Sequence, residues 1–209
     1  MFIKIIDGYR ALLDFERKYN EELREYNNYL NEQANGFYRV ELYKEIRREK
    51  GIMVLEYKGL KWIDKKGKVF VSTLPPQRIA TKVTVPPKFP LLGVRFIIEN
   101  GHVKVRYRDY RRLRELFKDY EVIEEPGLDL KTLLKDLENY AKGYLKKVSK
   151  AGFKTVLWIP LTSSGILYKI REKYGISRDR LIDVLWYLND KGLIRFEYDG
   201  NELWISLKQ

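Results

Sequence analysis

His102 is the only histidine among 209 residues, and there is no cysteine. Those two counts exclude thiol nucleophiles, disulfides and zinc sites built from histidine and cysteine. No Walker loop or dinucleotide-type glycine fingerprint occurs either. What the chain holds in quantity is cations: 41 Lys and Arg face 29 Asp and Glu, for a net charge of +12. A surplus of that size suits a polyanionic partner. It is densest in KGLKWIDKKGK (58–68), which contains Lys61, Lys65 and Lys66, and in KVRYRDYRRLREL (104–116). Lys104 and Arg106 alternate with valines, so they share one strand face. Arg108, Arg111 and Arg112 follow at helical spacing on one side. Trp62, Tyr107 and Tyr110 lie among these charges, and cations beside aromatic rings suit backbone neutralisation with stacking.

The surplus is unevenly spread. Residues 37–120 carry 21 cations and 9 carboxylates, which is the whole of the excess, whereas residues 163–209 carry 8 and 7. No acidic excess nearby in sequence offsets the middle segment. Its ten-residue candidate set is completed by Arg178 and Arg180, placed where a C-terminal helix should begin. The hydrophobic fraction of 44% supports one large domain or two small ones. No run approaches the roughly 20 apolar residues of a membrane span, and no cleavable leader is evident. The expectation is a soluble cytoplasmic protein without a cofactor, a membrane partner or a small-molecule substrate. Abundant Lys, Glu, Ile and Tyr fit a thermophile.

The elements that must position these residues follow from periodicity. Leu12, Phe15, Tyr19, Leu23, Tyr26 and Leu30 step by three or four and predict a long helix from Tyr9 to Gln33. Its length favours packing within the chain over a coiled coil. Asn35-Gly36 ends it. Residues 37–50 are expected to continue as a second helix. IMVLEYK, LKWID and KVFVS are then short strands broken by Gly59 and by Lys66-Gly67. A proline-rich stretch runs from Pro75-Pro76 to Pro90. Asn100-Gly101, between two β-prone runs, predicts a hairpin, with His102 exposed beside the turn. RDYRRLRELFKDY should be helical, with Tyr110, Leu113, Phe117 and Tyr120 on one side. Pro126-Gly127 marks a boundary, giving domains 1–125 and 128–209.

Beyond it, Leu128–Lys150 is helical and Gly152 closes it. FKTVLWIP is a strand, and Ser163-Ser164 caps a short helix ending at Gly175. Ser177 caps the next helix, with Asp179 in its first turn. That helix buries Leu181, Val184, Leu185 and Leu188 and ends at Gly192. Two strands flank Asp199-Gly200-Asn201. In this order of elements GISRDRLIDVLWYLNDKGLI, with residues 128–209 around it, resembles the winged helix-turn-helix superfamily. The resemblance implies a DNA-facing side starting at Arg178 and Arg180 and running past Ile182 and Asp183 toward Trp186. Against it, the wing carries Glu197, Asp199 and Glu202 beside Arg195 alone.

A second resemblance is confined to IMVLEYKG, where Glu56 and Lys58 look like the Glu-x-Lys half of metal-dependent PD-(D/E)xK nucleases. That family needs a second acid on a neighbouring strand to complete a Mg²⁺ site. The proline–aspartate partner is missing, and Asp64 stands in the wrong order. The sequence therefore predicts an α+β protein: a long N-terminal helix with a basic antiparallel β-rich domain, then a C-terminal winged helix-turn-helix. The expected role is non-catalytic binding of double-stranded DNA, in transcription, replication or partition, by a possible homodimer. The alternative is a protein–protein assembly module, viral or plasmid-borne, whose winged helix never touches DNA.

Overall fold

A computed structural model describes residues 1–33, 38–72, 93–152 and 158–207. Asn35-Gly36, the proline-rich stretch and the first half of FKTVLWIP lie outside the described residues. The protein is mixed α and β, with an antiparallel sheet. It divides into two compact units, Ile3–Ile123 and Glu124–Gln209, the latter including Met1–Phe2. Among the described residues no helix is long and apolar enough to cross a membrane.

The first unit opens with β1 (Phe2–Ile5) and α1 (Gly8–Gln33). The predicted stripe is the buried face of α1: Phe15, Tyr19, Leu23, Tyr26 and Leu30 are all 5% exposed or less. Leu12 is half-buried, and Ala11 takes its place in the core. Gly8 is required at the start of α1, because a Cβ there would meet the Val103 backbone nitrogen at 2.4 Å. Phe15 organises the core beneath the helix, with ring centroids 5.1 Å from Tyr57 and 5.4 Å from Phe96. Such pairs add about 0.5–1.5 kcal/mol each beyond area burial.

Residues 38–49 are a strand, not the expected second helix. β2 (Tyr38–Glu49) pairs antiparallel with β3 (Ile52–Asp64) along its whole length. Lys50 and Gly51 both have positive φ, +49° and +82°, as a type I′ hairpin demands. β3 is one continuous strand, so Gly59 does not break it. The register slips between Tyr43 and Lys44, where β3 carries one extra residue, Lys58, beside Gly59. A glycine inside a strand often marks such a bulge. β4 (Val69–Ser72) pairs with the far end of β3 after a turn at Gly67. β5 (Arg95–Glu99) and β6 (His102–Arg106) form the hairpin predicted from Asn100-Gly101, whose φ values are +51° and +79°. α2 (Tyr107–Leu113) is shorter than expected, since residues 114–119 form turns. With β7 (Val122–Glu125) the sheet order is β2-β3-β5-β6-β1-β7, β4 lying beside β3.

In the second unit α3 (Leu130–Lys150) is capped by Asp129, whose carboxylate accepts from Lys131 N at 3.0 Å and Thr132 N at 3.3 Å. β8 (Ile159–Pro160) leads to α4 (Ile166–Tyr174). Gly165, at φ +76°, is the N-cap of α4 in place of the expected serine, and Ser164 Oγ, one residue earlier, accepts from Ile166 N at 3.3 Å. Gly175 at φ +58° ends α4, and Ser177 Oγ accepts from Arg180 N at 3.2 Å to start α5 (Arg178–Asp190). β9 (Ile194–Tyr198) and β10 (Leu203–Leu207) follow, in a three-stranded sheet of order β8-β10-β9. Leu181, Val184, Leu185 and Leu188 are fully buried.

Candidate nucleic-acid interface

At least four of the eight predicted cations of the middle segment face carboxylates. Lys61 Nζ stands 3.7 Å from Glu41 on the neighbouring strand. Lys104 Nζ lies 3.0 Å from Glu99 across the β5–β6 hairpin. Arg106 and Arg112 converge on Asp109, at 3.2 and 3.8 Å. Asp109 is 5% exposed and sits in the first turn of α2. A buried carboxylate needs such partners to stay charged. Arg108 and Arg111 are half-buried. Lys65 and Lys66 are exposed at the β3–β4 turn, which Asp64 holds by accepting from Lys66 N at 2.9 Å and Lys68 N at 2.8 Å.

The aromatic residues among these charges are core residues. Trp62 is fully buried and Tyr107 is 2% exposed. Tyr110 packs on Tyr107 at 6.3 Å between centroids. None of the three offers a ring for a base to stack on. His102, expected to be exposed, is half-buried with Nδ1 2.6 Å from the Ile6 carbonyl oxygen, so that nitrogen donates.

Glu56 and Lys58 belong to an ion-pair lattice on the sheet face away from α1. Arg47 reaches Glu56 at 2.9 Å and Glu49 at 2.5 Å. Lys58 reaches Glu45 at 2.5 Å, and Arg95 pairs with Glu49. The Lys58 ammonium, then the Tyr43 hydroxyl, hold the Glu45 carboxyl below the usual range. Asp64 lies eight residues along the same strand from Glu56, about 25 Å at the rise of a β-strand, so the two cannot share a metal. Among the described residues no three carboxylate or imidazole groups are gathered as a metal site requires.

Arg178 and Arg180 are staples within their own unit. Arg178 Nη2 donates to the Asn201 carbonyl at 2.6 Å, with its guanidinium 5.8 Å over the Tyr198 ring. Arg180 Nη2 donates to the Gly127 carbonyl at 2.6 Å. Gly127 has φ +64°, and a Cβ there would meet that guanidinium nitrogen at 2.4 Å. Ile182 and Asp183 are 1% and 2% exposed. Trp186 packs edge-on against Phe196 at 4.8 Å. The face that the helix-turn-helix resemblance assigned to DNA is therefore largely internal. The hairpin acids also have structural partners. Burial would raise the Glu202 carboxyl, but hydrogen bonds from Thr162 N (2.6 Å) and Ser163 N (2.9 Å) outweigh it and hold the group below its usual value. Backbone donors at Glu202 and Asn201 do the same for Asp199.

One charged surface escaped the sequence analysis. α3 and α4 together carry nine cations against three carboxylates. Residues 178–207 carry four against six. The near-neutral second unit is thus split into a basic helical part and an acidic part. The signal was present in the four- and seven-residue spacing of lysines on α3, opposite the leucines that define its buried side.

No family model, curated protein or solved structure matches this chain.

Proposed function

We propose that the protein binds double-stranded DNA without catalysing a reaction on it, as a cytoplasmic regulatory, replication or partition factor. The observation that carries this reading is the arrangement of residues 128–209. A leading helix, a short strand, two helices joined by a tight turn and a hairpin follow one another, with β10 central in the sheet β8-β10-β9. That is the order of a winged helix-turn-helix. The net charge of +12 supports an anionic partner. The Lys61–Glu41 and Lys104–Glu99 pairs do not preclude phosphate contact, since surface pairs are worth only about 0–1 kcal/mol and can be exchanged, whereas Arg106 and Arg112 are held on buried Asp109. Lys65 and Lys66 stand at an exposed turn.

The test is fluorescence anisotropy of the full chain with a labelled duplex across a salt series. The expected result is binding that weakens linearly in log–log form as salt rises. Absence of binding at low salt would overturn the reading. A second reading, an assembly module for another protein or a second copy, is favoured by Arg178 and Arg180 being bound to backbone carbonyls and by the acidic hairpin. In that case a partner protein, not a duplex, would give the salt-dependent signal.

A further inference from the structure

Five of the six lysines of α3 form one outward row, with Glu138 on the same face. Lys131, Lys135, Lys142, Lys146 and Lys150 are all exposed. At 100° per residue they fall within a band about 100° wide. Leu133, Leu137 and Ala141, each fully buried, lie on the opposite side. At 1.5 Å per residue the row is about 28 Å long. Among the described residues no carboxylate lies within ion-pair distance of Lys142, Lys146 or Lys150. The nearby acid Asp136 is already engaged, with Lys173 Nζ at 2.5 Å and the Tyr174 hydroxyl at 2.6 Å.

Helix stability does not explain this row. Like charges four residues apart repel, and the row contains three such pairs: 131/135, 142/146 and 146/150. A cation in the first turn opposes the helix dipole, yet Lys131 stands there and no acid does. Only the lysines of the last turn suit the dipole. Glu138, four residues before Lys142, and the helix dipole at the last turn offset part of this repulsion; the three lysine–lysine pairs remain unfavourable to the isolated fold. An external linear polyanion would reverse that sign. The apolar side of α3 is buried, so the helix cannot insert into a lipid surface as interfacial helices do. A duplex is straight over this length and offers one negative charge per about 1.7 Å of axis.

We infer that α3 lies along the phosphate backbone of duplex DNA and is the sequence-independent anchor of the second unit, with α5 in an internal, structural role. The inference rests on the DNA-binding reading above. The anchor positions without reading bases, because lysines on phosphate carry no sequence information.

The experiment compares the 209-residue chain with its variants by anisotropy, using a random-sequence duplex between 50 and 200 mM salt. The variants are the triple Lys142→Gln/Lys146→Gln/Lys150→Gln and a control of equal charge change, Lys18→Gln/Arg24→Gln/Lys118→Gln. If the row is the anchor, the α3 triple loses about 10- to 100-fold in affinity and its salt slope falls by roughly three units, while the control changes little. Lys142→Arg/Lys146→Arg/Lys150→Arg keeps affinity and slope. Amine-reactive footprinting of the wild type gives the same answer without mutation, since duplex should protect these three lysines from acylation. A wild type that does not bind the duplex at low salt overturns the DNA reading itself. A wild type that binds, with an α3 triple no weaker than the control or no footprint on the row, overturns this inference alone. Loss of binding to phosphatidylserine vesicles, with duplex binding intact, overturns it too.

Discussion

Two basic regions of this protein differ in what their charges face. On the outer face of the first unit's sheet, Arg47, Lys58 and Arg95 interlock with Glu45, Glu49 and Glu56. On the outer face of α3, Lys142, Lys146 and Lys150 face solvent. The sheet brings together residues far apart in sequence, and neighbouring strands present side chains about 5 Å apart, so opposite signs can alternate in two directions. A helix surface pairs only residues three or four apart, and on α3 those are mostly lysines. Charge density along a chain is therefore a poor guide to the charge a surface can offer.

The comparison breaks first at its foundations. Phe15→Ala removes the central ring of the core beneath the paired face and should cost about 3–5 kcal/mol, read from the urea midpoint. An unchanged midpoint would mean that the aromatic cluster does not carry the first unit. Next, reversing the sheet cations in Arg47→Glu/Lys58→Glu/Arg95→Glu sets six carboxylates together. The melting temperature should fall sharply, and further at low salt than at high. The α3 glutamine triple should change it little, because relief of the 142/146 and 146/150 repulsions offsets the loss of Lys150 at the helix C-terminus and of Lys142 beside Glu138. If both variants melt alike, the two faces are not different in kind. Smaller is the N-cap of α5: Ser177→Ala should cost about 1 kcal/mol, seen as a shifted midpoint with the m-value unchanged.

Acid should separate the regions more gently. Hydrogen bonds from Lys173, then Tyr174, hold the Asp136 carboxyl below its usual value, and Thr132 does so for Asp129. A carboxyl with a depressed folded pKa contributes stability that is present above its unfolded value of about 4 and lost as pH falls through the folded one. Melting should thus be flat from pH 7 to 5 and decline below about 4. Asp136→Asn should flatten that decline, and a profile identical to wild type would remove the α3–α4 staple from the account.

The elements with one dominant local signal were readable from the sequence. α1 shows its stripe, Asn100-Gly101 its hairpin, and Ser177 its cap. Residues 38–49 were misread because YRVELYKEIRRE offers good helix formers and few apolar residues. The strand is set by its partner: Glu41 answers Lys61 and Glu45 answers Lys58 across β3. Such long-range pairing overrides local propensity. Gly59 read as a break for the same reason, since a bulge is defined only by the opposite strand. The candidate site suffered likewise. Asp109 is one acid among many arginines in sequence, yet in space it takes two of them, Arg106 and Arg112. Trp62, Tyr107 and Tyr110 stand out by their charged neighbours, but strand alternation turns Trp62 inward and the three-residue helical step places Tyr107 and Tyr110 on the buried face of α2. The α3 row was legible from spacing alone; attention to the leucines hid the side facing away from them.

The contact between His102 and the Ile6 carbonyl gives the protein an internal spectroscopic probe. A lone imidazole yields one isolated pair of ring-proton resonances in an NMR spectrum, free of overlap from any other histidine. Those signals report on the junction where the chain leaves β1, turns into α1 and meets the first residue of β6. Any ligand that loosens or tightens this corner should move a single assigned peak, without labelling or mutation.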